Sequence, residues 1–381
     1  MSDREPEPDS PPKRPDGSGP VRVLVVDDSA LMRRLLTDLL SAAPGIEVVG
    51  TARDGREAVL KTAQLKPDVV TLDVEMPEIS GLDALPAILA VHPVPVVMVS
   101  ALTQEGAEVT LRALELGAVD FLPKPTKNQL AEMRAASDLL VAKVLGAAQS
   151  RVLGNRRAAS SSRSARSAAS PPSSSTSTST PTVDGVVVIG ISTGGPQALA
   201  RVIPLLQPPS PPIVIVQHMP AQFTRVFADR LGRSSAVTVK EAAEGDLLIA
   251  NRVLVAPGGR QLTLTGVPPR VRIALSDPSE PPVSGHRPSV DVLFKSAAKV
   301  YQGATVGVIM TGMGRDGVDG CKAILAAGGL TLGQDEETSV VYGMNKAAFL
   351  ESAVAAQFPL DDLVPILQNL AAFREDHARN R

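Results

Sequence analysis

Short apolar runs dominated by Val and Ile recur along this 381-residue chain, bounded by Gly or Pro and separated by helical patterns. A strand that is apolar without alternation must be covered on both faces, and a parallel sheet between helices provides that cover. In the first half the runs are VRVLVV, IEVVGT, DVVTL, PVVMVS and DFLP. Helical patterns follow them near 30–41, 55–66, 81–91, 103–116 and 128–146. The second half has the runs VVVIGI, IVIV and TVGVIM, again with helical patterns between them. The expected fold class is therefore α/β. A doubly wound, five-stranded parallel sheet comes first, and a flexible linker joins it to a C-terminal doubly wound α/β domain.

Composition sets the boundaries of these two domains. Residues 1–20 are Pro-rich and charged with nothing to bury, which predicts a disordered tail. From Ser160 to Pro181 every residue is Ser, Thr, Ala, Arg or Pro, so 148–182 reads as a linker. The domains then span 21–147 and 183–375, with 376–381 as a short C-terminal tail. From residue 183 to the C-terminus, 18 Lys and Arg balance 18 Asp and Glu, and aromatic residues make up only 2% of the chain. Neither a polyanion-binding field nor a base-stacking platform is present, so nucleic acid is excluded as a partner. The single cysteine, Cys321, permits no internal disulfide, and no run is long enough to cross a bilayer. The start of the chain carries no apolar signal core either, and together these features predict a cytoplasmic protein without membrane insertion.

Polar residues cluster where the first-domain strands end. Asp27 and Asp28 follow the first run, Asp73 the third and Lys124 the fifth, and Ser100 closes the fourth. Three carboxylates gathered at one sheet edge repel each other unless a cation sits among them, and a hard ion such as Mg²⁺ suits oxygen ligands. A lysine beside them supplies a point charge for a phosphoryl group. Asp27, Asp28 and Ser29 would also serve as helix caps, and Asp73 as a turn residue. The set, followed by Pro125, resembles the receiver domain of two-component response regulators, a flavodoxin-like fold. The resemblance implies phosphorylation of Asp73, with Mg²⁺ held by Asp27, Asp28, Asp73 and the main-chain carbonyl of Glu75. It further implies Ser100, Phe121 and Lys124 as switch residues.

In the second domain the strand-like runs deliver Ser192 in ISTGG, His218 in QHMP and Asp316 in TGMGRDG. Ligand crevices of open parallel sheets lie outside the carboxyl ends of the strands. A nucleophile, a base and an acid that orients the base can therefore converge on one edge. Gly190-Ile191-Ser192-Thr193-Gly194 also fits a sharp strand-to-helix turn, with Pro196 early in the helix. The plainer readings are a capping Ser192, a structural His218 and a helix-capping Asp316.

ISTGGP, QHMP, GHRPSVDVLF and MTGMGRDG together resemble the catalytic domain of the CheB-type chemotaxis methylesterases. The resemblance implies Ser192 as nucleophile, His218 as general base, Asp316 as orienting acid and the Met313 N–H as oxyanion donor. His286 and Arg287 fall on a loop that the family sets near its active site, which makes them candidates for substrate contact. The activity implied is hydrolysis of glutamate methyl esters and deamidation of glutamines on chemoreceptors, with no cofactor in the esterase reaction. A chemosensory histidine kinase would be the phosphodonor. A phosphorylation-switched scaffold with an inactive triad, or an esterase with a non-receptor substrate, are the alternatives that the residues leave open.

Overall fold

The computed structural model describes residues 19–101, 103–124, 130–150, 185–370 and 373. The expected N-terminal tail up to residue 18, the linker from 151 to 182, Pro125 and the tail 376–381 lie outside those residues. The chain divides into two compact units at Arg151.

The first unit alternates strand and helix throughout. Its elements are β1 (Val21–Val26), α1 (Ala30–Ser41), β2 (Ile46–Ala52), α2 (Gly55–Leu65), β3 (Val69–Asp73) and α3 (Gly81–Val91). β4 (Val96–Ser100), α4 (Gln104–Glu115), β5 (Asp120–Pro123) and α5 (Leu130–Ala148) complete it. All strand pairs are parallel, in the order β2-β1-β3-β4-β5. β3 and β4 are buried at every residue, as their unbroken apolar runs require. Ser29, Asp54, Ser80 and Thr103 begin the first four helices, each side chain accepting from an N–H three residues on. Such caps contribute about 1 kcal/mol apiece.

The second unit holds β6 (Val186–Ile191), α6 (Gly195–Val202), β7 (Ile213–Gln217), α7 (Ala221–Arg233), β8 (Thr238–Glu241) and β9 (Arg252–Val255). An antiparallel pair, β10 (Leu262–Thr265) and β11 (Arg272–Leu275), then precedes α8 (Val290–Tyr301). β12 (Thr305–Ile309), α9 (Val318–Ala326), β13 (Leu330–Gln334), α10 (Met344–Leu350), β14 (Ala356–Phe358) and α11 (Leu363–Gln368) finish the unit. Seven strands form a parallel sheet in the order β14-β13-β12-β6-β7-β9-β8. Leu262, Leu264, Val271 and Ile273 of the small hairpin join Leu293 and Phe294 of α8 in one buried cluster.

In each sheet the chain starts in the interior and later crosses to the other side of its first strand. The first unit makes that reversal between β1 and β3, and the second between β6 and β12. Such reversal points open a ligand crevice outside the carboxyl ends of the strands. The start of α8 is seated against the second of them. A Cβ on Gly190, at the end of β6, would lie 2.2 Å from Cγ1 of Val290, and one on Gly317 would lie 2.6 Å from the same atom. Gly190→Ala should therefore overpack the core and lower stability by about 1–3 kcal/mol in thermal unfolding. A variant as stable as wild type would contradict this packing.

Candidate active site and acidic pocket

Ser192 follows β6 directly and stands at the turn into α6. Gly194 takes φ of +77°, where a Cβ would also meet Val340 at 2.4 Å, so the turn closes only with glycine. The Ser192 N–H donates to the Thr311 carbonyl at 3.0 Å, while its own carbonyl accepts from Gly195 N–H at 2.8 Å. Gln217 ends β7 and is buried; its Nε2 donates to the carbonyls of Ser192 (3.0 Å) and His218 (3.3 Å). One amide thus ties together the main chains of Ser192 and His218.

His218 comes next, with its side chain 7% exposed. Its Nε2 lies 2.9 Å from Oδ2 of Asp316, and a carboxylate can only accept, so Nε2 carries the proton. Nδ1 is then the lone-pair nitrogen, and it is buried without a hydrogen-bond partner among the described residues. Ser192 Oγ likewise makes no hydrogen bond among those residues. The structure therefore joins His218 to Asp316, and sets Ser192 beside His218 at the end of the neighbouring strand without joining the two side chains.

Asp316 is 3% exposed and fully engaged. Besides His218, Oδ2 accepts from Val290 N–H at 2.7 Å, and Oδ1 accepts from Ser289 Oγ at 2.7 Å and Asp291 N–H at 3.1 Å. Two of these donors belong to the first turn of α8, where the helix dipole also favours an anion. Burial pushes the carboxyl upward, but the His218 bond and charge, with Ser289 and Val290, outweigh it and hold the group below the usual range. The capping role considered for Asp316 does not hold: the cap residue of α9 is Gly317.

Thr311 and Gly312 bring the next loop against the nucleophile. Thr311 Oγ1 donates to the carbonyls of Thr193 (2.9 Å) and Val341 (3.2 Å). A Cβ on Gly312 would lie 2.7 Å from Cβ of Ser192 and 2.5 Å from Sδ of Met344, so the loop touches the serine only because residue 312 is glycine. With the Ser192 N–H already committed to Thr311, an oxyanion needs another donor. Met313 N–H, one residue from this contact, makes no hydrogen bond among the described residues.

His286 and Arg287 occupy the loop before α8. The His286 ring stacks on His218, with ring centroids 3.7 Å apart and planes inclined by 6°. Arg287 Nη1 donates to the Glu280 carbonyl within the same loop. Gln217, Ser289 and Thr311 are site residues that the sequence does not announce. Ser289 alone carries a signal, a serine immediately ahead of a helical pattern.

In the first unit, oxygens of Asp27, Asp28 and Asp73 all lie within 4.8 Å of one another. Lys124 Nζ sits 2.7 Å from Oδ2 of Asp73 and 3.5 Å from Oδ2 of Asp27. Burial raises the Asp73 carboxyl to about 6, with Asp27 adding repulsion and the Lys124 bond opposing both. Asp27 Oδ2 is buried with no hydrogen bond among the described residues, an acceptor that suits an oxygen-seeking cation better than a neutral ligand. Glu75 adjoins the cluster, its N–H donating to Asp73 Oδ1 at 3.2 Å. Ser100 Oγ donates to the Ala101 and Gly106 carbonyls at 3.3 Å, and Phe121 is buried with Lys143 Nζ 5.6 Å from its ring centroid.

Among known proteins, the CheB methylesterase family matches residues 187–367 and the response regulator receiver domain matches residues 23–135. A protein-glutamate methylesterase/protein-glutamine glutaminase of Caulobacter vibrioides is 48% identical over 370 residues, covering 93% of this chain and 99% of that protein. Its namesake from Koribacter versatilis is 46% identical over 349 residues, covering 91% of this chain and 95% of that one. The Pyrococcus abyssi protein of the same name is 44% identical over 350 residues, with coverages of 90% and 91%. No helix among the described residues is long and apolar enough to cross a membrane.

The two aspartates should respond oppositely to pH. Asp316 is held below the usual range, so its ionised form stabilises the fold above about pH 3.9, an advantage lost as pH falls through the lower folded value. Asp316→Asn should lower the unfolding temperature at neutral pH, and the deficit should shrink below about pH 4. Asp73 is raised, so its ionised form is costly once pH exceeds the folded value of about 6. Without divalent cations, Asp73→Asn should stabilise the first unit by about 1–3 kcal/mol at pH 7.5, with the gain gone near pH 4. Calorimetry across pH checks both; deficits or gains independent of pH would contradict the assignment.

Proposed function

Because the chain belongs to the CheB methylesterase family and carries a response regulator receiver ahead of the esterase, we propose that it demethylates glutamate methyl esters on chemoreceptors. It also deamidates receptor glutamines, the same acyl chemistry with ammonia as the leaving group. Both reactions reset the receptors and so give adaptation in chemosensory signalling. Residues 21–147 act as receiver and 183–375 as catalytic domain, working in the cytoplasm.

The observation that carries this reading is the His218–Asp316 pair, whose free nitrogen is buried one residue beyond the strand adjoining Ser192. Substrate entry brings Ser192 Oγ to His218 Nδ1, a bond often loose in the absence of substrate. Oγ then attacks the ester carbonyl as Nδ1 takes its proton, and Asp316 stabilises the imidazolium. The carbonyl oxygen, now an anion, accepts from the Met313 N–H. His218 passes its proton to the departing methoxide, releasing methanol and leaving a glutamyl ester on Ser192. A water molecule, deprotonated in turn by Nδ1, hydrolyses that ester to the glutamate carboxylate, and His218 returns the proton to Ser192 Oγ as it departs.

In the receiver, Asp73 accepts a phosphoryl group from a chemosensory histidine kinase. Asp27, Asp28, Asp73 and the Glu75 carbonyl would hold Mg²⁺, which would supply positive charge against the carboxylates and the phosphoryl oxygens. Lys124 holds the phosphoryl oxygens, Ser100 turns toward them, and Phe121 belongs to the surface that responds.

Methanol release from methylated receptor membranes tests the reading. Ser192→Ala and His218→Ala should each lower turnover by about 10⁴-fold or more, and the double variant should be little worse, since the triad acts as a unit. Small-molecule phosphodonor with Mg²⁺ should raise the rate of the full-length protein, and Asp73→Asn should abolish the rise. Substantial ester hydrolysis by the Ser192→Ala protein would sink the serine mechanism.

A further inference from the structure

We propose that His286 is a positioning residue for the general base, holding the plane of the His218 ring by stacking on it. The proposal rests on the assignment of His218 as base to Ser192. A single hydrogen bond, from Nε2 to Asp316, fixes one edge of the His218 ring but leaves it free to tilt about that bond. Tilt would swing Nδ1 out of line with the serine hydroxyl. A second flat ring 3.7 Å away and inclined by 6° removes that freedom. It also presents a π face to the imidazolium that forms when Ser192 loses its proton, an attractive placement for a cation.

The main chain of the stacking residue is itself braced. His286 N–H donates to the Val283 carbonyl at 2.9 Å, and its carbonyl accepts from Val283 N–H at 3.0 Å. The same carbonyl accepts from Gln261 Nε2 at 3.0 Å, while Gln261 Oε1 accepts from Ser289 N–H at 2.8 Å. Ser289 Oγ in turn donates to Asp316 Oδ1 at 2.7 Å. The contacts close a circuit through His286, Gln261, Ser289, Asp316 and His218. Asp316 at the edge of the base and His286 on its face are thus held by one buried glutamine, and the relative placement of the two is fixed. The neighbouring Arg287, bonded to the Glu280 carbonyl, braces the loop.

The test compares His286→Phe with His286→Ala in the full-length protein. Phenylalanine keeps a flat ring and its π face but can neither titrate nor form hydrogen bonds through its side chain. The probes are a helical peptide bearing a glutamate γ-methyl ester, and an alkyl fluorophosphonate, which reports Ser192 reactivity without ester binding. His286→Ala should lower kcat about 10- to 100-fold with KM changed less than about twofold, the scale of a misplaced catalytic group. His286→Phe should recover to within about threefold of wild type, and fluorophosphonate labelling should follow the same order. Raised KM with preserved kcat in both variants would overturn the proposal in favour of substrate contact. A phenylalanine variant as impaired as the alanine one would also overturn it, as would an alanine variant equal to wild type. Wild-type protein inert to both probes would remove the serine mechanism and, with it, any role for the stack.

Discussion

A carboxylate without water must be surrounded by donors or it takes up a proton, and Asp316 meets that demand from four directions. Two donors are main-chain groups of α8, one is a side chain just ahead of that helix, and one is the imidazole of His218. Leaving such a charge unsatisfied costs several kcal/mol, so the fold and the site are subject to the same constraint. The start of α8 cannot drift without orphaning the aspartate, and the aspartate cannot drift without releasing the base. Asp291 extends the linkage, since its Oδ1 accepts from Gly320 N–H at 2.7 Å and so joins α8 to α9.

The receiver handles buried acid in the opposite way. Asp27 and Asp73 share one lysine, and Asp27 keeps an oxygen with no hydrogen bond among the described residues. Burial, with repulsion from Asp27, raises Asp73 against the pull of Lys124, and such a pocket is receptive to a cation. Asp316 is fully compensated by its donors, whereas Asp73 is held near imbalance. Both lie at the point where a parallel sheet reverses its winding.

Much of this is legible in the amino-acid sequence. A strand buried on both faces has a continuous apolar run, so the first polar residue beyond it marks a carboxyl end. Asp27, Asp73, Lys124 and Ser192 stand out in that way, while His218 and Asp316 come one to a few residues after the first polar residue, behind Gln217 and Thr311. Contacts that depend on main chain, or on residues far apart in sequence, do not. Ser289 lies 27 residues from Asp316, and Thr311 Oγ1 reaches a carbonyl 118 residues away, with no local pattern to reveal either. β8 to β11 are strands of four residues each, too short for periodicity to separate them from loops. Orientation is hidden as well: the sequence names the histidine but cannot say which of its nitrogens meets the acid.

That orientation has a geometric consequence. Nδ1 is bonded directly to the ring carbon that joins the side chain, whereas Nε2 lies at the far end of the ring. Rocking of the side chain about its first torsion sweeps the far nitrogen through a longer arc than the near one. Here the far nitrogen is moored to Asp316, and the near one is buried without a hydrogen-bond partner among the described residues. The near nitrogen therefore takes its position chiefly from the backbone just beyond β7, and the imidazole behaves as a short lever anchored at its tip.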